Sequence, residues 1–465
     1  MERIFSERLD IKLTLKLGEN THTIIPGNIR AIELAMRSWG FEGWVEFLVA
    51  DNEAFGGQQR DELLADFLKP DLAQVSLELK AVLTDAPPEA SITPLKVEGL
   101  VADKSLSEMP TKQTHGSSIL YRRYGVRFVD AAQLLWRQHF PCELYTHKTF
   151  QDVLELHKGE HIRLDYDWDA ELGVSRPQLF VGLDPQQGAS FYDFVAWFVS
   201  QRCGVFSYDY AAAQYSLTAT KDASAEPQTL RAEEIKAVEL LFPEVIRHEV
   251  VMLNSWAEGP TSETLPQPQA VQGIHQDVLL RTPIQDEVQA RTGYEQTRLV
   301  ARQRELALTW GRFPLGALMP GALVQLPEHA PWASSGVAAS DTFRVRQVLL
   351  RAEAEPDSED DEHDAANARY QLSLTTRMEL VDEPWVELPE FQPPAFPRLA
   401  EGFIVSEMGE DEDETWQAYT DEETSLDRYQ VRMPLWEDQI ITVPFEPGLL
   451  PGHFYFPAFK GERVL

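Results

Sequence analysis

Three aspartates at alternate positions, in Asp165-Tyr166-Asp167-Trp168-Asp169, come nearer to a metal site than anything else in this sequence. Acids spaced in this way open a calcium loop, because a hard cation is held by a shell of oxygen ligands. Such a loop needs glycine at its sixth position and a bidentate glutamate at its twelfth. Here those positions are Ala170 and Arg176. On a strand the same acids share one solvated face, and that is the reading adopted. His157 and His161 have the spacing of a zinc-binding helix, but Lys158 replaces the glutamate of H-E-x-x-H and Gly159 breaks the helix. Cys142 follows Pro141 with no evident base to activate its thiol. There is no G-x-S-x-G elbow, phosphate-binding Walker loop or dinucleotide glycine fingerprint. The expectation is a protein without catalytic residues, metal ligands or cofactor. Its 11 scattered tryptophans read as core or interface anchors.

The charge excludes a further class. Acids outnumber bases 75 to 41 over 465 residues, a formal net charge of −34. Such a polyanion is repelled by phosphate backbones, and no basic run offsets this, so nucleic-acid binding is not expected. Two cysteines, Cys142 and Cys203, fit a reducing compartment rather than a disulfide framework. The N-terminus lacks an apolar core of signal-peptide length, and no stretch is long and apolar enough for a membrane span. The chain is expected to be made in the cytoplasm, without stable membrane insertion, and to leave the cell, if it does, without a cleaved signal.

The elements that would position any site are mostly strands. Ile11, Leu13, Leu15 and Leu17 alternate with polar residues, as do Val75, Leu77 and Leu79. Runs at Trp44–Val49, Val97–Val101 and Tyr121–Phe128 read as further strands, Ile29–Met36 as strand or short helix, and residues 57–69 as a short helix. From 131 the pattern turns helical. Thr149 with Asp152 caps a helix over Phe150–His157, and Ser190 with Asp193 caps another. In the second, Phe191, Phe194, Val195, Phe198 and Val199 form one apolar stripe, with Gly204 placed as its C-terminal glycine. A hairpin follows over 205–219. The next β region carries strands at 245–253, 270–280, 319–326, 343–350 and 370–374, with a helix predicted over Tyr294–Trp310. Seven acids in Glu353–His363 mark an exposed, mobile hairpin tip, and Glu410–Glu414 a solvated loop. Pro389–Pro397 is a stiff connector to the last piece, whose strands lie over Tyr429–Leu465.

The order of these pieces, and several local runs, resemble the VgrG spike proteins of type VI secretion systems. The runs are Glu143–Leu154, Tyr192–Val195 with Gly204–Tyr208, Leu318–Gly321, Glu401–Val405, Tyr429–Trp436 and Phe456–Leu465. The resemblance implies a mainly β fold in four parts. These are a first hub-type β-barrel over 1–128, an α/β insert over 129–225, a second hub barrel over 226–390, and a proline linker with an OB-type spike-base barrel over 391–465. It implies a non-enzymatic homotrimer that caps an Hcp-like hexameric tube ring, meets baseplate proteins and carries a puncturing tip. Tip protein and effector would attach through a β-helix needle beyond Leu465, where this sequence is expected to be truncated. Trp436, Phe454, Phe456 and Phe459 are the expected trimer contacts at the spike base. The alternatives left open are a β-rich surface binding module and a carbohydrate-active enzyme.

Overall fold

The computed structural model describes residues 4–53, 57–82, 93–111, 119–257, 259–282, 284–316, 318–327, 341–355, 368–395, 399–420, 427–444 and 458–465. The chain opens with strands β1 (Phe5–Leu17), β2 (Asn20–Ile24), β3 (Ile29–Arg37) and β4 (Gly40–Asp51). After the four-residue helix α1 (Leu64–Phe67) come β5 (Ala73–Ala81), β6 (Leu95–Thr111) and β7 (Ile119–Val129). The insert holds α2 (Ala131–Leu135), β8 (Cys142–Lys148), α3 (Phe150–His157), β9 (Leu164–Asp167), α4 (Asp169–Leu172), β10 (Arg176–Gly182), α5 (Phe191–Gln201), β11 (Val205–Asp209) and β12 (Gln214–Thr218). The second β region runs through β13 (Gln228–Thr229), β14 (Ile235–Leu241), β15 (Glu249–Leu253), β16 (Ser262–Leu265), β17 (His275–Leu279), α6 (Gln285–Arg298), β18 (Glu305–Trp310), β19 (Leu323–Gln325), β20 (Thr342–Ala354) and β21 (Ala368–Leu380). The last piece is β22 (Gly402–Val405), β23 (Tyr419–Thr420), β24 (Asp427–Met433), β25 (Gln439–Pro444) and β26 (Arg463–Val464).

The molecule is mainly β, with an α/β insert. Alternation decides which side of each strand is buried: on β1, Leu9, Ile11, Leu13, Leu15 and Leu17 face the core while Lys12 and Lys16 face out. The hydrogen bonds close eight strands into a circuit, β3–β4–β7–β6–β5–β1–β21–β20 and back to β3. A closed circuit leaves no unpaired edge. Two of its strands come from the second β region, so the two regions are not successive beads. The hairpin β20–β21 serves both. The end of β21 at Ala368–Leu372 pairs β1 and the end at Thr375–Glu379 pairs β18. On the other side, Gln347–Glu353 of β20 pairs β3 and Thr342–Arg344 pairs β19.

A bulge marks the crossover. The β20–β21 register slips between Val345 and Gln347, leaving Arg346 as the extra residue. Bulges bend a strand and raise its local twist, which lets one strand leave the closed barrel and pair with the strands of the second β region. Arg346 is buried there, 3.0 Å from Glu305 of β18, with its guanidinium over Trp385.

Most of the helical reading holds. Thr149 with Asp152 and Ser190 with Asp193 both form full capping boxes. The α5 stripe is buried, and the Phe150 and Phe198 rings stack 3.6 Å apart. Two expectations change. Glu305–Trp310, expected to be helical, is strand β18: Leu306, Leu308 and Trp310 are buried at a period of two against β14 and β21. The left-handed residue after α5 is Cys203, with φ of 55°, not Gly204. Gly204 is required for another reason, since a Cβ there would lie 2.2 Å from the Trp168 ring. The base of the Glu353–His363 hairpin is seen, with Glu355 N donating to Arg369 O at 3.0 Å, but the tip lies outside the described residues.

Asp130 joins the insert to the first barrel. It is fully buried, caps α2 through Gln133 N (3.0 Å), accepts from Phe41 N of β4 (3.0 Å), and is bonded by the Gln133 side chain and the Tyr215 hydroxyl of β12. Burial pushes its carboxyl above the ordinary value, while these donors hold it down. Asp130→Ala would orphan the buried donors, each at a cost of about 1–3 kcal/mol, so a loss of about 3 kcal/mol or more is expected in urea unfolding. A change below about 1 kcal/mol would show that the residue does not couple the two parts.

Candidate interaction site on the C-terminal sheet

The C-terminal sheet has β24 at its centre. One side of β24 pairs β22 and β23, the other pairs β25, and β26 adds to β22. Alternate residues Tyr429, Val431 and Met433 of β24 point inward with Ile404 and Trp436. That small core is completed by Leu144 of β8, a residue of the insert. Two consecutive left-handed residues, Glu437 and Asp438, turn the chain from the end of β24 into β25.

The turn is the point of attachment. Trp436 is 9% exposed; its indole N–H donates to Cys142 O at 2.9 Å, and its ring meets Phe180 edge-on with centroids 5.5 Å apart. Gln439 donates to Leu144 O (3.1 Å) and accepts from the Thr146 hydroxyl (3.2 Å). The strand β8 is thus paired to β10 on one side and gripped by the C-terminal sheet on the other. The proline connector is laid along the insert: Pro389 and Pro394 are buried, and Gln392 N donates to Asp193 Oδ1 at 3.2 Å, at the capped start of α5.

Of the expected trimer contacts, Trp436 is committed to this contact within the chain. Phe459 is 38% exposed. Phe454 and Phe456 lie outside the described residues. The Asp165 and Asp167 side chains of β9 and Asp169 at the start of α4 are exposed, and among the described residues no group of three or more acids, histidines or cysteines is placed to hold a metal. His157 and His161 do not converge: His161 lies 3.3 Å from Glu160, whereas His157 is drawn into a separate network. Its Nδ1 is 2.8 Å from His139 Nε2 and its Nε2 is 2.7 Å from the Tyr145 hydroxyl, which also bonds Glu143. Sequence spacing pointed to position 161; the partner is 18 residues earlier, brought in by β8 and α3. A groove of about 1320 Å3 spans both β regions. Of its three glutamates, Glu33, Glu42 and Glu239, the first two are ion-paired with Arg351 (3.5 Å) and Arg127 (3.0 Å), ties that brace neighbouring strands.

Burial pushes both imidazoles below their ordinary value, and His139 lowers His157 further. The unfolded chain therefore takes up protons that the folded insert refuses. Stability is full above the unfolded value, about pH 6.5, and falls as pH drops below it. In thermal melts, His157→Gln should flatten that acid slope; an unchanged slope would remove the pair from the account. Trp436→Ala should weaken the docking of the C-terminal sheet by about 3 kcal/mol, seen as faster proteolysis in the 389–400 connector. An unchanged cleavage rate would mean that the sheet is held elsewhere.

No protein-family model matches the chain, and no curated protein matches it in sequence. Solved structures do. Against a chain of the Francisella PdpA–VgrG complex in its half-lidded form, the TM-score is 0.68 at 13% identity, over 99% of this chain and 76% of that one. The lidless PdpA–VgrG complex gives 0.67 at 12% identity, over 100% of this chain and 85% of that one. The lidded Francisella form gives 0.68 at 14% identity, over 99% and 69%. Over 99% of its length the chain has the fold of a component of the PdpA–VgrG complex, and the VgrG-type resemblance of its sequence holds at the level of that fold.

Proposed function

We propose that this protein is a structural hub and spike component of a contractile injection machine of the type VI kind. In this reading it forms a homotrimer that caps the hexameric ring of the inner tube, meets baseplate proteins and carries the puncturing tip and its effector. It is made in the cytoplasm and exported by the machine itself. The observation that carries the reading is the fold shared over 99% of the chain with a component of a complex whose name includes a VgrG protein. The charge and the absence of a helix long and apolar enough to cross a membrane, among the described residues, accord with it.

Symmetry gives the reading a physical basis. A threefold assembly can seat on a sixfold ring when each chain presents two similar units, six in all. The two β regions joined on β20–β21 are suited to that role, because a shared hairpin fixes the angle between them. In this reading the C-terminal sheet, held on β8 behind a proline connector, is the part at which the hub narrows to the spike.

Light scattering of the purified chain tests this. The expected mass is three times the 52.8 kDa of one chain, with co-elution when a hexameric tube-ring protein is added. A single-chain mass across the working concentration range would overturn the reading.

A further inference from the structure

The outward face of the C-terminal sheet carries arginines and apolar side chains in an acidic chain. One cross-strand row runs Arg463 (β26), Phe403 (β22), Arg432 (β24), Ile440 (β25). Both guanidinium groups lie 5.9 Å from the Phe403 ring centroid, and Ile440 is 53% exposed. Val405, Gln430 and Thr442 make the next row, and Arg428 follows on β24. These outward positions carry three arginines, two β-branched aliphatics and a phenylalanine, but no carboxylate, in a chain whose acids exceed its bases by 34. The rim acids Asp438 (3.9 Å from Arg432) and Glu401 (paired with Arg463) sit just off the strands. A guanidinium has five donors in a planar fork, so each can take a second carboxylate beside the first.

The complementary surface is on the same sheet. Between β22 and β23 the chain carries Glu410, Asp411, Glu412, Asp413 and Glu414, all exposed. The loop is tied down rather than loose. Glu410 N donates to Asp413 Oδ2 (2.9 Å), the Thr415 hydroxyl to Met408 O (2.8 Å), and Lys460 N to Thr415 O (2.7 Å). Met408 and Trp416 flank it, 53% and 43% exposed. Among the described residues none of the five acids pairs with Arg432 or Arg463 of its own copy. One surface is basic with apolar side chains interleaved; the other is acidic with apolar side chains at its ends.

We propose that the Arg432–Phe403–Arg463 face of one copy receives the acidic loop 408–416 of a second copy. In the homotrimer of that reading the contact runs head-to-tail, each copy giving its loop to the next, and repeated around the threefold axis it closes into a ring. Met408 and Trp416 pack toward Phe403 and Ile440, and the acids meet the arginine forks. Pairing this acidic protein with itself by opposite charges also offsets the repulsion its net charge would impose. The proposal rests on the homotrimer reading and names the surface that makes it.

Three full-length proteins test it by light scattering at low and high salt: the unaltered chain, Arg432→Glu with Arg463→Glu, and that pair combined with Asp411→Arg and Glu412→Arg. The unaltered chain should be trimeric. The reversed face should need at least about tenfold more protein to assemble, and the doubly reversed chain should recover, which also shows that the reversed face folds. A reversed-face protein that assembles like the unaltered chain overturns this contact while leaving the trimer standing. Loss without recovery, in a protein with an unchanged circular dichroism spectrum, overturns the loop as occupant. An unaltered chain that stays monomeric overturns the hub reading together with this one.

Discussion

The rest of the structure depends on the β20–β21 ladder. These two 13-residue strands pair from Phe343 with Leu380 to Ala354 with Tyr370, while their outer edges are divided between two sets of partners. Neither β region can complete its sheet without that hairpin: the first circuit is open without β20 and β21, and among the described residues the β14–β18 and β13–β19 pairs join the large sheet only through it. The cost of holding two such long strands in register is large and is offset by burial on the inner face, where Val345, Val348, Leu350, Leu372, Leu374 and Met378 are all nearly fully buried. The bulge at Arg346 then sets the bend between the two regions.

The insert and the C-terminal sheet are joined to that frame by shared apolar packing and by a short series of polar contacts. Asp130 binds β4, α2 and β12 together. Lys221, at the exit from the insert, is packed against Glu379 of β21 and donates to Glu383 O at 3.1 Å. Asp193 caps α5 and takes the backbone N–H of Gln392 from the connector. The C-terminal sheet finally rests on β8 through Trp436 and Gln439. The C-terminal sheet is therefore tied to the insert, and the insert to the first barrel, by direct hydrogen bonds.

Local rules made much of this legible. Strands with strict alternation, such as Ile11–Leu17, and helices with capping boxes, such as Phe150–His157, declare themselves because their patterns are short-range. Glu305–Trp310 misled because it follows a charged run that does form α6, and charge composition hides a period of two over six residues. The shared hairpin could not be read at all: each strand has an ordinary pattern, and which strands lie on its two edges depends on pairings more than 300 residues apart in sequence, such as Phe5 with Leu372. The same holds for the candidate site. The aromatic residues near the C-terminus were visible, but the assignment of Trp436 to a contact within the chain follows from Phe180 and Cys142, far back in the insert. The outward Arg432–Phe403–Arg463 row needed the register of three strands.

The central claim is that the two β regions are one body, built on β20–β21. Native-state hydrogen exchange of the full chain tests it most directly, read at β3 and β6 on one side and at β14 and β18 on the other. The account predicts that amides on both sides open together with the same free energy, and that Arg346→Ala lowers both by the same amount. Two separate opening free energies, with Arg346→Ala moving only one, would show that the regions are independent barrels and would contradict it.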